Sequence, residues 1–192
     1  MKRRITLIRH GKPKAKEDYS PFSIISGSEM GMFIRAWNSS ELYQSGLEPI
    51  KVKDVISDGD VFICSELKRT SESFSRLGIK RFDTCKLLNE AQLPHGICKN
   101  VKLPLFAWLV ILRILWRFGW SENSESYMEF KNRIKNAAEY LVNHESEAQH
   151  IVVMAHGFVN RHLNAELVKR NWKLVLKEGG NSFWSFLTYE NI

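Results

Sequence analysis

The sequence lacks the features that mark secreted, disulfide-stabilised or zinc-binding small proteins. Its 192 residues include only three cysteines, Cys64, Cys85 and Cys98, and these form no Cys-x-x-Cys pair. Such an odd, widely spaced set argues against both a disulfide scaffold and a zinc site. The N-terminal apolar run from Ile5 to Ile8 is too short for a secretory signal and has no small-residue cleavage site. We therefore expect a cytoplasmic protein.

The chain also lacks internal repeats, low-complexity tracts and an obvious linker, which predicts a single domain over residues 1–192. Hydrophobic residues make up 44% of the sequence, enough for a sizeable core, so disorder is excluded. The net charge of +7 favours anionic partners such as phosphorylated metabolites, nucleic acid or an acidic membrane surface. A solvated basic surface would give the same value, so charge is informative only where it converges on one site.

Short apolar segments alternate with helical patterns along most of the chain. Strands are predicted at Arg4–Ile8, Val61–Cys64, Ile151–Ala155 and Ser182–Tyr189, and helices at Ser28–Gln44, Glu66–Leu77, Tyr127–Asn143 and Phe158–Arg170. This alternation predicts an α/β fold, a three-layer α/β/α sandwich with a mostly parallel central sheet. In such sheets ligands bind beyond the carboxyl ends of the strands.

Residues 103–120 form an unusually apolar stretch. Pro104 suits a helix start and Gly119 a helix end, with Arg113 and Arg117 on one face. The stretch is too short and too charged for a transmembrane span. We expect a helix buried against the sheet or a partner subunit. A lid over the active site and a membrane-surface helix are the alternatives.

His10 is the first candidate for a catalytic residue, because it follows a predicted buried strand and so lies at the edge of the sheet. A neutral imidazole is a competent nucleophile towards phosphorus near pH 7. The preceding Arg9 can bind phosphate oxygens bidentately, and Gly11 allows close approach of the backbone to a ligand. Taken alone, a loop histidine with an ordinary hydrogen bond explains the pattern equally well.

The same layout recurs at His156-Gly157, again after a strand and here at the start of a helix. Free N–H groups and the helix dipole favour an anion at such a position. Two histidines could also be metal ligands. The surrounding arginines and lysines favour an anion over a cation.

A third segment, from Cys64 to Ser73, follows the second predicted strand and carries several hydroxyl side chains. Arg69 could complete a positive cradle with Arg9, and Ser65 lies at the strand end. An N-capped helix with surface charges is the plain alternative for this segment by itself.

Together these residues resemble the histidine phosphatase superfamily, also called phosphoglycerate-mutase-like, and its phosphatase branch in particular. The resemblance is carried by Leu7–Gly11, by Ser65–Ser73 with Arg69-Thr70, by Met154–Gly157 and by Asn181-Ser182, in the family's order over nearly the whole chain. The Arg-His-Gly and late His-Gly motifs are its most specific parts.

The resemblance implies that His10 is phosphorylated and then hydrolysed, with phosphoryl oxygens held by Arg9, Arg69 and His156. The family's proton donor is an acidic residue, which Glu90 matches best, although an ordinary surface glutamate is an equal alternative. It further implies that Gly11, Lys12, Ser65 and Gly157 contact the phosphate or the rest of the substrate. These four residues complete the predicted site. No metal or other cofactor is expected.

The chain departs from the family after Gly11, where Lys12-Pro13-Lys14 replaces the usual acidic residue and threonine. We therefore expect a phosphatase acting on a small phosphorylated substrate or a phosphopeptide, rather than a mutase-type phosphotransferase. A non-catalytic module binding phosphate or nucleic acid is the rival from another class. No nucleic-acid motif is visible, no transmembrane segment is expected, and a homodimer is allowed.

Overall fold

The computed structural model describes residues 2–43, 50–144 and 148–191. The strands in this part of the chain are β1 (Arg4–Arg9), β2 (Ile24–Ser26), β3 (Val61–Cys64), β4 (Asp83–Thr84), β5 (Lys102–Pro104), β6 (His150–Ala155), β7 (Trp172–Glu178) and β8 (Phe186–Asn191). The helices are α1 (Ala15–Asp18), α2 (Gly27–Ser39), α3 (Ile50–Ile56), α4 (Lys68–Arg76), α5 (Leu105–Arg117), α6 (Tyr127–Val142) and α7 (Gly157–Lys169), with a 3-10 turn at Lys86–Leu88.

Six strands form the central sheet in the order β4-β3-β6-β1-β8-β7. The pairs β1–β6, β3–β6 and β3–β4 are parallel, whereas β8 runs antiparallel to both of its neighbours. The carboxyl ends of β3, β6 and β1 therefore lie side by side at one edge of the sheet. That edge is where the sequence places Ser65, His156 and His10.

Helices cover both faces of this sheet, because alternate strand residues point to opposite sides. Ile5 and Leu7 pack with α6 and α7, while Ile8 packs with α3 and α4. Both clusters are almost fully shielded from solvent. The three-layer α/β/α architecture predicted from the sequence is confirmed.

A smaller unit of α2, α5 and the two-stranded β2–β5 sheet packs around a third apolar cluster beside the strand ends. A capping box fixes the start of α2, since Ser26 accepts from the Glu29 N–H and the Glu29 carboxylate accepts from the Ser26 N–H. The Trp108 indole N–H donates to the Ile25 carbonyl at 2.9 Å and so joins α5 to β2. This unit, which we call the cap, forms one wall of the site described below.

Only one side of α5 is buried in the described chain, so burial against the sheet is not what this helix shows. Burial of its other side against a partner subunit stays a prediction. The buried side chains are Leu105, Trp108, Leu112 and Trp116, and the exposed ones include Phe106, Val110, Ile114 and Phe118. The buried side packs mainly in the cap rather than flat on the sheet. No helix in the described ranges is long and apolar enough to cross a membrane.

The predicted strand at Ser182–Tyr189 begins too early, since β8 starts at Phe186. Residues 182–185 form turns instead: the Ser182 N–H donates to the Gly179 carbonyl, and Trp184 has a positive φ of 63°. A strand cannot hold a residue in that left-handed conformation.

Helix boundaries differ less from the predictions. Helix α2 ends at Ser39, because the backbone of Ser40 is extended. The predicted helix Ser28–Gln44 is therefore too long at its C-terminal end, and its last residue, Gln44, lies outside the described residues. Helix α3 and strand β7 were not predicted. Strand β7 lies at the sheet edge with mostly exposed residues, which weakens the alternating pattern that would reveal it.

Candidate active site

The carboxyl edge of the sheet brings His10, Ser65, Arg69 and His156 into one hydrogen-bonded cluster. His10 follows β1, Ser65 follows β3 and His156 follows β6, while Arg69 lies in the first turn of α4. All four side chains are almost fully buried. Buried polar side chains need hydrogen-bond partners within the protein, and here these hydrogen bonds fix the tautomers of the two histidines.

The His10 imidazole is held in one tautomer. Its Nδ1 lies 2.6 Å from the Gly11 carbonyl oxygen, which can only accept, so Nδ1 carries the proton. Nε2 consequently keeps its lone pair, and the Arg69 Nε–H donates to it at 3.2 Å. A histidine fixed in this way has a single unprotonated ring nitrogen, Nε2, which is the one that could act as a nucleophile.

Arg69 organises the centre of the cluster. Its Nη1 donates to the Trp37 and Asn38 carbonyls at 3.0 and 3.2 Å, which fastens the end of α2 to the site. Its Nη2 donates to His156 Nδ1 at 3.3 Å. Burial lowers the pKa of Arg69 to about 10, so the guanidinium remains charged at neutral pH.

His156 is oriented from both ring nitrogens. Because Nδ1 accepts from Arg69, Nε2 carries the proton and donates to Ser65 Oγ at 2.8 Å. Ser65 Oγ lies 3.0 Å from Thr70 Oγ1, which donates to backbone carbonyls. The His10 and His156 rings meet edge to face with centroids 5.0 Å apart.

We expect Ser65→Ala to lower kcat about tenfold, because the buried His156 Nε2–H would lose its acceptor. Ser65→Thr should retain most activity, since it keeps the hydroxyl. Ser75→Ala, an exposed serine of α4, is the matched control. Steady-state kinetics at one pH is sufficient, and an unchanged kcat in Ser65→Ala would contradict this role.

Arg9 lies beside the cluster, stacked 4.3 Å from the Phe183 ring centroid and bonded to the Asn181 carbonyl. Its Nε is buried without a hydrogen-bond partner among the described residues. A Cβ added at Gly157 would lie 3.2 Å from the guanidinium carbon, so Gly157 leaves room for this arginine. Phe183, which also packs on His10 at 5.7 Å, was not predicted as a site residue.

Glu90 lies in the irregular segment after the 3-10 turn, and Arg133 fixes that backbone. The Arg133 Nη1 donates to the Leu87 and Asn89 carbonyls at 2.7 and 2.8 Å, and its guanidinium also pairs with Glu125. The Glu90 side chain lines two cavities. Because burial outweighs the nearby arginines, the pKa of Glu90 is raised above the usual carboxyl value.

Arg113 of α5 is a further arginine near Glu90. Its guanidinium is stacked on the Trp116 and Phe158 rings, 4.7 and 4.4 Å from their centroids. Its charge acts on Glu90, and its Nη1 is buried without a partner in the described ranges. From the sequence, Arg113 was predicted only to share a helix face with Arg117. No local pattern predicts that it lies near Glu90.

The two histidines both have a pKa well below the ordinary value. Burial is the main cause for each; Arg69 is the next for His10, and the neighbouring His10 is the next for His156. The cluster therefore holds neutral imidazoles beside charged guanidiniums. This is an electropositive site with neutral imidazoles, an arrangement suited to an anionic ligand.

Two predicted contact residues have other partners here. The Gly11 N–H donates to Ser73 Oγ at 3.0 Å, and the Lys12 ammonium pairs with Glu17 and lies 5.4 Å from the Tyr43 ring centroid. Ser65 likewise reaches the cluster through His156. Direct phosphate contacts from Gly11, Lys12, Ser65 and Gly157 stay predictions.

Gly11 is required for close packing, which gives a stability prediction. A Cβ there would lie 2.5 Å from Trp184 Cζ2 and 2.7 Å from Leu42 Cδ1. We expect Gly11→Ala to lower the free energy of unfolding by about 1–3 kcal/mol. Denaturant unfolding measures this free energy, with Gly31→Ala in α2 as control. A Cβ at residue 31 would lie 3.1 Å from His95 Cδ2, a milder contact that the higher helix propensity of alanine offsets. Equal stability of Gly11→Ala and the native chain would contradict the packing argument.

Within residues 2–43, 50–144 and 148–191, no three His, Cys, Asp or Glu side chains form a group that could hold a metal ion. The groups that converge on His10 are guanidinium and imidazole side chains. Side chains of these two kinds can bind phosphate oxygens directly.

Solved structures share this fold along most of the chain. "Mycobacterial hydrolase 1" superposes with a TM-score of 0.65 at 19% identity, covering 99% of this chain and 91% of that chain. Phosphoserine phosphatase from Entamoeba histolytica, in complex with 3-phosphoglyceric acid, gives 0.60 at 16% identity, covering 96% and 89%. Alpha-ribazole phosphatase from Shigella flexneri gives 0.54 at 20% identity, covering 86% and 79%. At these identities the likeness concerns the fold alone.

No curated protein matches the sequence at a significant level. A family model does match, over residues 5–190, and it spans the Arg9-His10-Gly11 and His156-Gly157 motifs together with Arg69. The resemblance inferred from these motifs is thereby confirmed: the chain belongs to the histidine phosphatase superfamily, branch 1.

Proposed function

We propose that this protein is a phosphomonoesterase that needs no metal ion and works through a phosphohistidine on His10. The observation that carries the proposal is the tautomer of His10. Nδ1–H donates to the Gly11 carbonyl, and the Nε2 lone pair faces the Arg69 Nε–H. Membership of the superfamily supports a phosphatase- or phosphotransferase-type enzyme in general.

In the first step, His10 Nε2 attacks phosphorus and the ester P–O bond breaks. In this structure the Arg69 Nε–H and Nη2–H donate to the two histidines. With substrate bound they would donate to the phosphoryl oxygens instead, with Arg9 beside them. In that arrangement the donors stabilise charge that develops in the transition state. Protonated Glu90 gives its proton to the leaving alkoxide oxygen.

In the second step, the Glu90 carboxylate takes a proton from water, and the water oxygen attacks phosphorus. The P–Nε2 bond breaks, inorganic phosphate leaves, and both His10 and Glu90 return to their starting protonation states. Water as acceptor makes the enzyme a hydrolase. A mutase-type reaction would need an acceptor alcohol in place of that water.

The proposed mechanism requires neutral His10 and protonated Glu90, so it makes a pH prediction. Activity should fall as pH drops through the lowered pKa of His10, and fall again as pH rises through the raised pKa of Glu90. The profile of kcat/KM reports both groups in the free enzyme. Glu90→Gln, measured with the same ester so that substrate ionisation cancels, should lose the alkaline limb. An alkaline limb that survives unchanged would contradict the assignment.

The direct test of the proposed function is phosphate release from a panel of phosphorylated metabolites, phosphopeptides and an aryl phosphate, with and without a chelator. We expect turnover of at least one class, unaffected by the chelator and absent in His10→Ala. Loss of all turnover on chelation would contradict the proposal. Binding of phosphate or of an oligonucleotide with steep salt dependence, without turnover, would instead favour the non-catalytic module.

A further inference from the structure

The cap contains a partly open, mainly apolar cavity that borders the candidate active site. Its volume is about 210 Å³, and its walls come from α2, α5 and the segments around Tyr19 and Leu93. Most of the lining side chains are apolar or aromatic, including Phe33, Trp37 and Leu109. The Tyr19 and Phe33 rings meet edge to face at 4.9 Å, so this wall is already packed in one arrangement.

The cavity is tied to the catalytic cluster by two of its lining residues. Trp37 and Asn38 both line it, and their carbonyls hold Arg69 Nη1, whose Nε reaches His10. Glu90 lines the same cavity and is the proposed donor of the proton to the leaving oxygen. A leaving group that receives this proton on the Trp37 side of Glu90 has the apolar wall next to it.

We infer that the apolar cavity is the leaving-group site, and that this enzyme prefers phosphomonoesters of apolar, ring-containing alcohols over those of small charged ones. The inference rests on the proposed function. Burying a ring against Phe33, Trp37 and Leu109 is favourable, whereas a small charged alcohol offers little apolar surface to bury. An ammonium would also meet the cationic side chains of Lys16 and Arg113, which line the same cavity. The pre-formed aromatic wall lowers the ordering cost of binding.

A second cavity, of about 510 Å³, also reaches Glu90 and is more polar than the first. Arg9, Arg161, Lys177 and Asn160 contribute to its lining, and the Asn160 Oδ1 atom is buried without a partner in the described part of the chain. A charged leaving group would fit that cavity better. The two cavities thus predict opposite substrate preferences, which an experiment can separate.

The experiment compares kcat/KM for 1-naphthyl phosphate, phenyl phosphate and O-phosphoserine. We expect 1-naphthyl phosphate to exceed phenyl phosphate by about tenfold and O-phosphoserine by at least about 100-fold. The comparison of the two aryl esters limits the effect of leaving-group acidity. Leu109→Asn should reduce the naphthyl-to-phenyl ratio to near one, while Val110→Asn, the exposed neighbour on α5, should leave it unchanged.

Binding of free 1-naphthol, followed by calorimetry, tests the cavity without turnover. The native chain and His10→Ala should bind it equally, and Leu109→Asn at least about tenfold more weakly. If no ester is hydrolysed but this pattern holds, the proposed function fails and the apolar site stands. A preference for O-phosphoserine that Lys177→Ala or Arg161→Ala abolishes, or naphthol binding unaffected by Leu109→Asn, would overturn the inference.

Discussion

His10→Ala is expected to lower kcat/KM by at least about 10⁴-fold, because it removes the atom that accepts the phosphoryl group. The other histidine of the cluster, His156, has the opposite tautomer: its Nε2–H donates to Ser65, and its Nδ1 accepts from Arg69. Hydrolysis of an aryl phosphate by purified enzyme, measured continuously, gives the ratio.

The control for this loss is His144→Ala, a histidine at the end of α6 whose ring meets Tyr140. It should keep native activity. Thermal melts of both variants show whether the loss of turnover exceeds any loss of folded protein. Turnover within tenfold of native in His10→Ala, on a preparation free of host phosphatases, would refute His10 as the nucleophile.

Glu90→Gln is expected to slow both proposed steps, phosphorylation of His10 and hydrolysis of the phosphohistidine. How much it slows the first step depends on the leaving group. With an alkyl phosphate, whose alkoxide needs a proton to depart, kcat/KM should fall about 10²–10⁴-fold. With p-nitrophenyl phosphate the first step should change far less, since nitrophenolate leaves without a proton. The second step still lacks its base, so a burst of nitrophenolate should precede slow turnover.

Rapid-mixing kinetics resolves the burst, and Glu66→Gln is the matched control. Glu66 lies near the same segment, with its carboxylate bonded to the Asn89 side chain, and it is exposed. Its removal should affect neither ester. An equal loss with alkyl and nitrophenyl esters in Glu90→Gln would indicate a structural role for Glu90 rather than proton transfer.

Much of the cluster at the candidate active site could be predicted from sequence because its members lie at or soon after the ends of buried strands. The apolar runs before His10 and His156 fix two neighbouring parallel strands, and their carboxyl ends must then meet. Arg69 follows for the same reason, since it lies in the first turn of α4, the helix that comes after β3. Local patterns were sufficient for these three residues.

The rest of the site depends on long-range packing that no local pattern reveals. Phe183 reaches His10 only because the chain turns through Trp184 before β8 begins. Arg113 approaches Glu90 only because the cap packs α5 against α2. The apolar cavity is a product of the same packing, so its residues read from sequence as ordinary core positions.

The central claim is that a phosphoryl group passes through His10, and trapping it is the most direct test. Glu90→Gln is mixed with p-nitrophenyl phosphate, quenched in alkali, where phosphohistidine survives, and mapped by mass spectrometry. The account predicts one phosphoryl group on the His10 peptide, lost on brief acid treatment and absent when His10 is also replaced by alanine. Nitrophenolate release in a full burst with His10 unmodified would contradict it.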